Sequence, residues 1–187
     1  MNHQELESFV QEVVGALGDE RPPRVVAELL SETLRRLVGG AFYLEERSLR
    51  GGKAGAPSRH RLYEDPQGRF VLLSVVWPTG YAGPIHDHGT WGVMAGYKGR
   101  VVVTSFRRLD DGTQDGMANI SEVSRQLLSE GMVALIRPPE EEVHRVENPF
   151  REPAVTVHLY GVDQPWPHLF QPADRLMKPA GGEEHVD

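Results

Sequence analysis

Two histidines two residues apart, His86 and His88, and a third far along the chain, His144, are the residues of this sequence best suited to chemistry. In an extended segment a spacing of two puts both imidazoles on one face, where they can share one ion. His144 lies in another short β-rich run, VHRVEN, which a folded sheet can bring opposite the pair. Three neutral imidazoles leave the double charge of a divalent ion uncompensated and leave coordination positions open, the condition for holding an anionic substrate and dioxygen together. The chain has no cysteine, which removes thiolate ligands, cysteine nucleophiles and disulfides at once. Any metal must therefore be held by nitrogen or oxygen. A solitary histidine is usually a surface or hydrogen-bonded residue, and that ordinary role is the expectation for His3, His168 and His185.

Strands must position these histidines, and the second half of the chain supplies them. Short β-rich runs occupy residues 59–63, 70–77, 91–97, 100–106, 121–128, 132–136, 143–147 and 154–160, the pattern of a β-sandwich or barrel. Asp65-Pro66-Gln67-Gly68, Lys98-Gly99 and Asp111-Gly112 fall between runs and read as hairpin turns. Before the strands, Phe9, Val10, Val13, Val14 and Leu17 recur at helical spacing and Gly18 follows as a stop. A second helix starts at Pro22-Pro23, carries Val25, Val26, Leu29, Leu30, Leu34 and Leu37 on one stripe, and ends at Gly39-Gly40. Both are expected to be packing elements. Residues 48–58 hold three glycines and a proline and read as a loop.

At 187 residues, 39% apolar and 25% charged, the chain suits one buried core. The expected layout is a single domain over 1–187, with helices in 1–40, a β core at 59–161 and a tail, 162–187, wrapped over the barrel and fraying near Val186. The net charge of -7, with no basic stripe, argues against nucleic-acid binding, which needs lysine and arginine clusters against phosphate. No apolar run approaches the length of a membrane span and the start lacks a signal-peptide pattern, so the expectation is a cytoplasmic protein acting on small molecules.

The motifs around the histidines resemble those of the cupin superfamily. Gly80, His86, His88 and Gly99 match its first motif, while its glutamate position holds Gly92 or, at the longer spacing, Val93. Gly131, Pro138-Pro139, His144 and Asn148 match the second more loosely, with Glu141 where an internal glycine is usual. Within cupins, a three-histidine site without the glutamate resembles the cysteine dioxygenase and related thiol dioxygenases, and PIHDHGTWG is similar to bacterial members. The resemblance spans roughly residues 59–161 and implies a mostly β fold, the cupin double-stranded β-helix (jelly-roll barrel) with N-terminal α-helices. It further implies Fe(2+) on His86, His88 and His144, with a small thiol substrate and O2 as partners.

Thr156-x-His158-x-Tyr160 is similar to the family's Ser-His-Tyr hydrogen-bonded triad beside the iron, and its spacing puts all three side chains on one strand face. Threonine for serine keeps the hydroxyl. The cysteine–tyrosine crosslink of animal members cannot form in a chain without cysteine. The resemblance implies a substrate-carboxylate contact on the strand before the first motif, which here offers Arg59 or His60. Arg59 tilts towards cysteine, whereas HDHGTWG is similar to the 3-mercaptopropionate type, so both thiols stand. Alternatives are a three-histidine cupin acting on a carbon substrate such as a diketone, and a cupin that senses a ligand without turnover.

Overall fold

The computed structural model describes residues 3–18, 21–40, 42–52, 55–111, 118–162, 168–171 and 176–179. Two helices come first, α1 (His3–Leu17) and α2 (Pro23–Gly39), followed by a short 3-10 turn at Glu46–Leu49. Pro23 opens α2, where a missing amide proton breaks no intrahelical bond. The buried stripe of α2 is Val26, Ala27, Leu30, Leu34 and Leu37. Leu29, expected on that stripe, is half exposed, because the stripe turns toward Ala27. No helix among the described residues is long and apolar enough to cross a membrane.

The strands are β1 (Ser58–Glu64), β2 (Val71–Trp77), β3 (Tyr81–Ala82), β4 (Ile85–His86), β5 (Gly92–Lys98), β6 (Arg100–Arg108), β7 (Ile120–Ser129), β8 (Val133–Ile136), β9 (Val143–Asn148), β10 (Ala154–Tyr160), β11 (His168–Gln171) and β12 (Leu176–Pro179). They form two antiparallel sheets. One runs β1-β2-β10-β5-β8 and the other β12-β11-β4-β9-β6-β7, with β3 paired to β9. Val75, Trp77, Met94 and Ala154 of the first sheet meet Val101, Val103, Leu128 and Val146 of the second in one buried cluster. The two sheets therefore enclose a common interior, giving the expected mostly β, double-stranded β-helix barrel with N-terminal helices.

The central strands β2 and β10 of the first sheet are buried on both faces. The sheet's inner face fills the barrel, and on its outer face Leu72, Val76, Val93, Ala95, Val155, Val157 and Leu159 pack with Phe9, Val13, Leu30 and Leu34 of the two helices. This explains the unbroken apolar run of β2, VLLSVVW, in which every residue is buried. Each fully buried Leu or Val of this layer contributes roughly 1.5–3 kcal/mol relative to exposure. In β2 the one polar residue, Ser74, donates to the Ser48 carbonyl at 2.9 Å.

Asp65-Pro66-Gln67-Gly68 makes the expected β1-β2 hairpin. Gly68 has φ +68° and its N–H donates to the Asp65 carbonyl at 2.8 Å, while the Arg69 guanidinium donates to both Asp65 carboxylate oxygens at 2.8 Å. Lys98-Gly99 does something else. Gly99 takes φ +69°, but β5 and β6 belong to different sheets, so the turn is a corner between sheets and not a hairpin. Turn chemistry is the same in both cases; only distant pairing distinguishes them. β6 and β7 do pair with one another, and Gly112 of the Asp111-Gly112 turn lies outside the described residues.

The short strands β3 and β4 were not expected from the sequence, being too brief to show alternation. The tail also departs from expectation: β11 adds to the second sheet beside β4, with Leu169 opposite His86 and Phe170 opposite Ile85. Open backbone on β4 is a template for such pairing. Val186 and His185 lie outside the described residues, as does the side chain of His3.

Candidate metal centre

Sheet register brings the distant histidines together. In the pairing of β4 with β9, His86 stands opposite His144, and His88 follows just beyond the end of β4. The ring centroids of His86 and His144 are 4.4 Å apart, those of His86 and His88 4.9 Å, and those of His88 and His144 5.1 Å. One nitrogen from each ring lies within 4.8 Å of the other two. His86 and His144 each donate Nδ1–H to a backbone carbonyl, Pro84 at 3.2 Å and Glu142 at 2.9 Å, which leaves Nε2 with its lone pair. Burial holds the His86 imidazole down at about 4 and His88 well below the usual histidine range, so both rings are neutral.

His88 Nε2 is buried without a hydrogen-bond partner among the described residues. An orphaned buried nitrogen costs free energy, and a cation at the centre of the cluster relieves it. The donor set of three imidazoles and no carboxylate suits iron, zinc, copper or nickel better than magnesium or calcium. The residues present fit one metal ion.

Asp87, between two of the histidines, points the other way. Its carboxylate accepts the His168 backbone N–H at 2.9 Å and His168 Nδ1–H at 3.1 Å, and its own N–H donates to the His168 carbonyl at 3.2 Å. His168 is thus outside the cluster but clamps the segment that carries it. Glu142 stands behind the site, accepting the Gly89 N–H, with its carboxyl pushed up to about 7 by burial and then by the charge of Asp87. The sequence reading missed both supports. Alternation around His86-Asp87-His88 would have turned Asp87 away from the ion; nothing local marks Glu142, whose partners are distant in sequence.

β10 brings a second set of polar side chains to the same interior. Thr156 Oγ1 lies 2.6 Å from His158 Nε2, and His158 Nδ1 lies 2.7 Å from Tyr160 Oη. The Tyr160 ring stacks on His88 at 4.5 Å between centroids, so this chain of contacts ends against the histidine cluster. Trp77, which the sequence reading did not single out, donates its indole N–H to Thr156 Oγ1 at 2.7 Å. Trp77 is opposite Ala154 in the β2-β10 register, which makes it the diagonal same-face neighbour of Thr156.

A cavity of about 30 Å³ opens onto the three histidines and is lined also by Arg59, Trp77, Tyr81, His158 and Tyr160. Its lining includes one arginine and no carboxylate among the described residues. Arg59 is buried, and its charge contributes to lowering His86, His88 and His158. His60, its neighbour on β1, is turned away from the cavity with Nε2 2.9 Å from the Arg50 carbonyl. Strand alternation separates the two. Arg61 returns to the Arg59 side but is exposed and pairs with Glu64 at 2.7 Å.

The structure also separates Gly92 from Val93. Val93 belongs to the outer core under the helices, whereas a Cβ on Gly92 would lie 2.7 Å from Tyr160 Cδ1. A glutamate at position 92 and the observed Tyr160 ring cannot share that space.

Residues 58–171 match the family model described as cysteine dioxygenase type I. Cysteine dioxygenase type 1 of Danio rerio is 33% identical over 101 residues, 53% of this chain and 48% of that protein, so the match spans about half the length of this relative. Among solved structures, a Klebsiella pneumoniae protein with a double-stranded β-helix domain aligns over 71% of this chain and 99% of its own, at 16% identity and TM-score 0.48. A Cupin 2 conserved barrel domain protein from Salinispora arenicola aligns over 63% of this chain and 85% of its own, at 19% identity and TM-score 0.43. With its family match covering more than half of its length, and the three histidines, the β10 triad and Arg59 all inside the matched segment, this chain belongs to the cysteine dioxygenase type I family.

Proposed function

We propose that the protein is a non-haem iron thiol dioxygenase that converts a small thiol carboxylic acid, cysteine or 3-mercaptopropionate, to its sulfinic acid. The reaction balances as RSH + O2 giving RSO2H: the O–O bond breaks, two S–O bonds form, sulfur loses four electrons and dioxygen gains four. The observation that carries this reading is the meeting of three features in one cavity: a cluster of three histidines, a buried arginine and a hydrogen-bonded tyrosine stacked on His88.

His86, His88 and His144 would hold Fe(2+), which when bound supplies the open coordination positions and redox capacity that join a thiolate to dioxygen. The chain's own residues do the rest. Arg59 presents a guanidinium to the substrate carboxylate, a contact favoured by fork geometry and by a lining without competing acids. Tyr160 stands where its hydroxyl can donate to a group in the cavity, with His158 orienting the phenol and Thr156 orienting His158.

The test is oxygen consumption by anaerobically iron-loaded protein with cysteine, 3-mercaptopropionate and mercaptosuccinate in parallel, with sulfinate scored by mass spectrometry. Sulfinate from one of them, lost in His86→Ala together with bound iron, supports the reading. Iron binding without oxygen uptake on any of the three overturns it and leaves a carbon substrate or ligand sensing in its place.

A further inference from the structure

The indole N–H of Trp77 restricts where the protons of the β10 triad can sit. An indole nitrogen only donates, so the 2.7 Å contact to Thr156 Oγ1 makes that oxygen an acceptor. The hydroxyl has a single proton, and it cannot point at the indole, where one donor would face another. Thr156 is 1% exposed, and its second contact is His158 Nε2 at 2.6 Å. A buried hydroxyl proton without an acceptor is unfavourable, so Thr156 donates to His158 Nε2.

That assignment propagates. A neutral imidazole carries one N–H, and burial followed by the charge of Arg59 keeps His158 well below the usual histidine range. With Nε2 accepting, the ring proton is on Nδ1, which donates to Tyr160 Oη across 2.7 Å. The phenol therefore accepts from His158, and its own proton is not consumed within the relay. Tyr160 lines the cavity and stacks on His88. In the reverse direction Tyr160 would donate to His158 and offer the cavity a lone pair, which repels electron-rich ligands.

We propose that Trp77 is a positioning residue that sets the direction of the relay Trp77, Thr156, His158, Tyr160, holding His158 as its Nδ1–H tautomer and making the Tyr160 hydroxyl a donor to the occupant of the cavity. The ligand class this selects is one that presents an electron-rich acceptor atom, an anion or a polarised oxygen, next to the tyrosine. The inference rests on the proposed function only for the identity of that acceptor. The direction of the relay follows from the protein alone.

Trp77 also forms a wall of the barrel interior, so loss of activity in a variant is not a sufficient readout. The experiment is heteronuclear NMR of the His158 ring nitrogens in metal-free protein, where tautomers are distinguished by chemical shift. Wild type is expected in the Nδ1–H form by about tenfold or more, because in the alternative the Thr156 hydroxyl proton would face the indole N–H, donor against donor. Trp77→Phe lets the Thr156 hydroxyl turn towards the vacated position, and the ratio falls several-fold; Thr156→Ser retains it. Benzothienylalanine placed at position 77 keeps the bicyclic shape and removes only the N–H, so it decides the matter if Trp77→Phe does not fold. An Nε2–H form in wild type overturns the direction, and an unchanged ratio in the folded position-77 variants overturns the role of Trp77. If no thiol is oxidised yet these ratios hold, the proposed function falls and the relay direction stands.

Discussion

The two faces of β10 are equally dry and chemically opposite. Val155, Val157 and Leu159 are 4%, 0% and 0% exposed and pack under the helices, while Thr156, His158 and Tyr160 are 1%, 2% and 3% exposed and meet the histidine cluster. Burial by itself therefore does not distinguish scaffold from site. The distinction is in how each face is satisfied. Apolar packing is non-directional and spreads over many neighbours, whereas the polar face depends on a short series of directed bonds in which every member has a stated partner. Damage to the first face should be read in stability, and damage to the second in chemistry.

Leu159→Ala breaks the apolar face and should show the largest effect, a loss of about 3 kcal/mol of folding stability measured by denaturant titration. Turnover per folded molecule should be unchanged, and a large fall in it would dissolve the contrast between the faces. Tyr160→Phe tests the opposite face. It should reduce thiol oxidation about a hundred-fold with iron content retained. Its stability loss should be only about 1 kcal/mol, from the His158 donor left without its acceptor; iron loss equal to the loss of activity would instead make Tyr160 part of the metal's support.

Gly92→Ala sharpens the comparison on the neighbouring strand. The new methyl meets Tyr160 Cδ1 at 2.7 Å and Ile136 Cδ1 at 3.1 Å, so the ring must shift. A displacement of this kind should lower turnover about ten-fold, measured as kcat on protein whose folded fraction and iron content match wild type. Equal turnover would show that the ring position is not critical.

The smallest expected effect concerns Glu142, a support behind the site. Its folded carboxyl is raised to about 7, above the unfolded value, so the folded state holds a proton that the unfolded state has released. Stability of the metal-free protein therefore falls as pH rises from the ordinary carboxylate range through about 7. Glu142→Gln has no charge to bury. It should be more stable than wild type by roughly 1 kcal/mol above about pH 8, solvent screening included, with the advantage vanishing near about pH 5. Thermal melts across that range check it, and an advantage independent of pH would contradict the burial of this carboxyl.

Much of the barrel was legible because alternation and apolar runs are local. β2, β5, β6, β9 and β10 coincide with the expected runs to within a few residues at their ends. His86, His88 and His144 stood out because three imidazoles at those spacings have few ordinary explanations together, and the β10 triad because its members share one parity on one strand. What escaped was short or non-local. β4 is two residues long, β11 lies in a proline-rich stretch, and both owe their form to partners distant in sequence. The Lys98-Gly99 turn was legible as a turn but not as a corner. Trp77 was legible only as the end of a β-rich run and not as a donor, since its acceptor is on another strand.

The sequence by itself determined which side chains share a face along each strand, that any metal must be held without sulfur, and that the helices offer an apolar stripe to a sheet. These follow from backbone periodicity and residue chemistry within a few neighbours. Only the tertiary structure decided that His86 stands opposite His144, that Arg59 and not His60 enters the cavity, that Gly92 makes room for Tyr160, and that Trp77 reaches Thr156. Each of those depends on the register between strands far apart in the chain, where a slip of one residue exchanges the two faces.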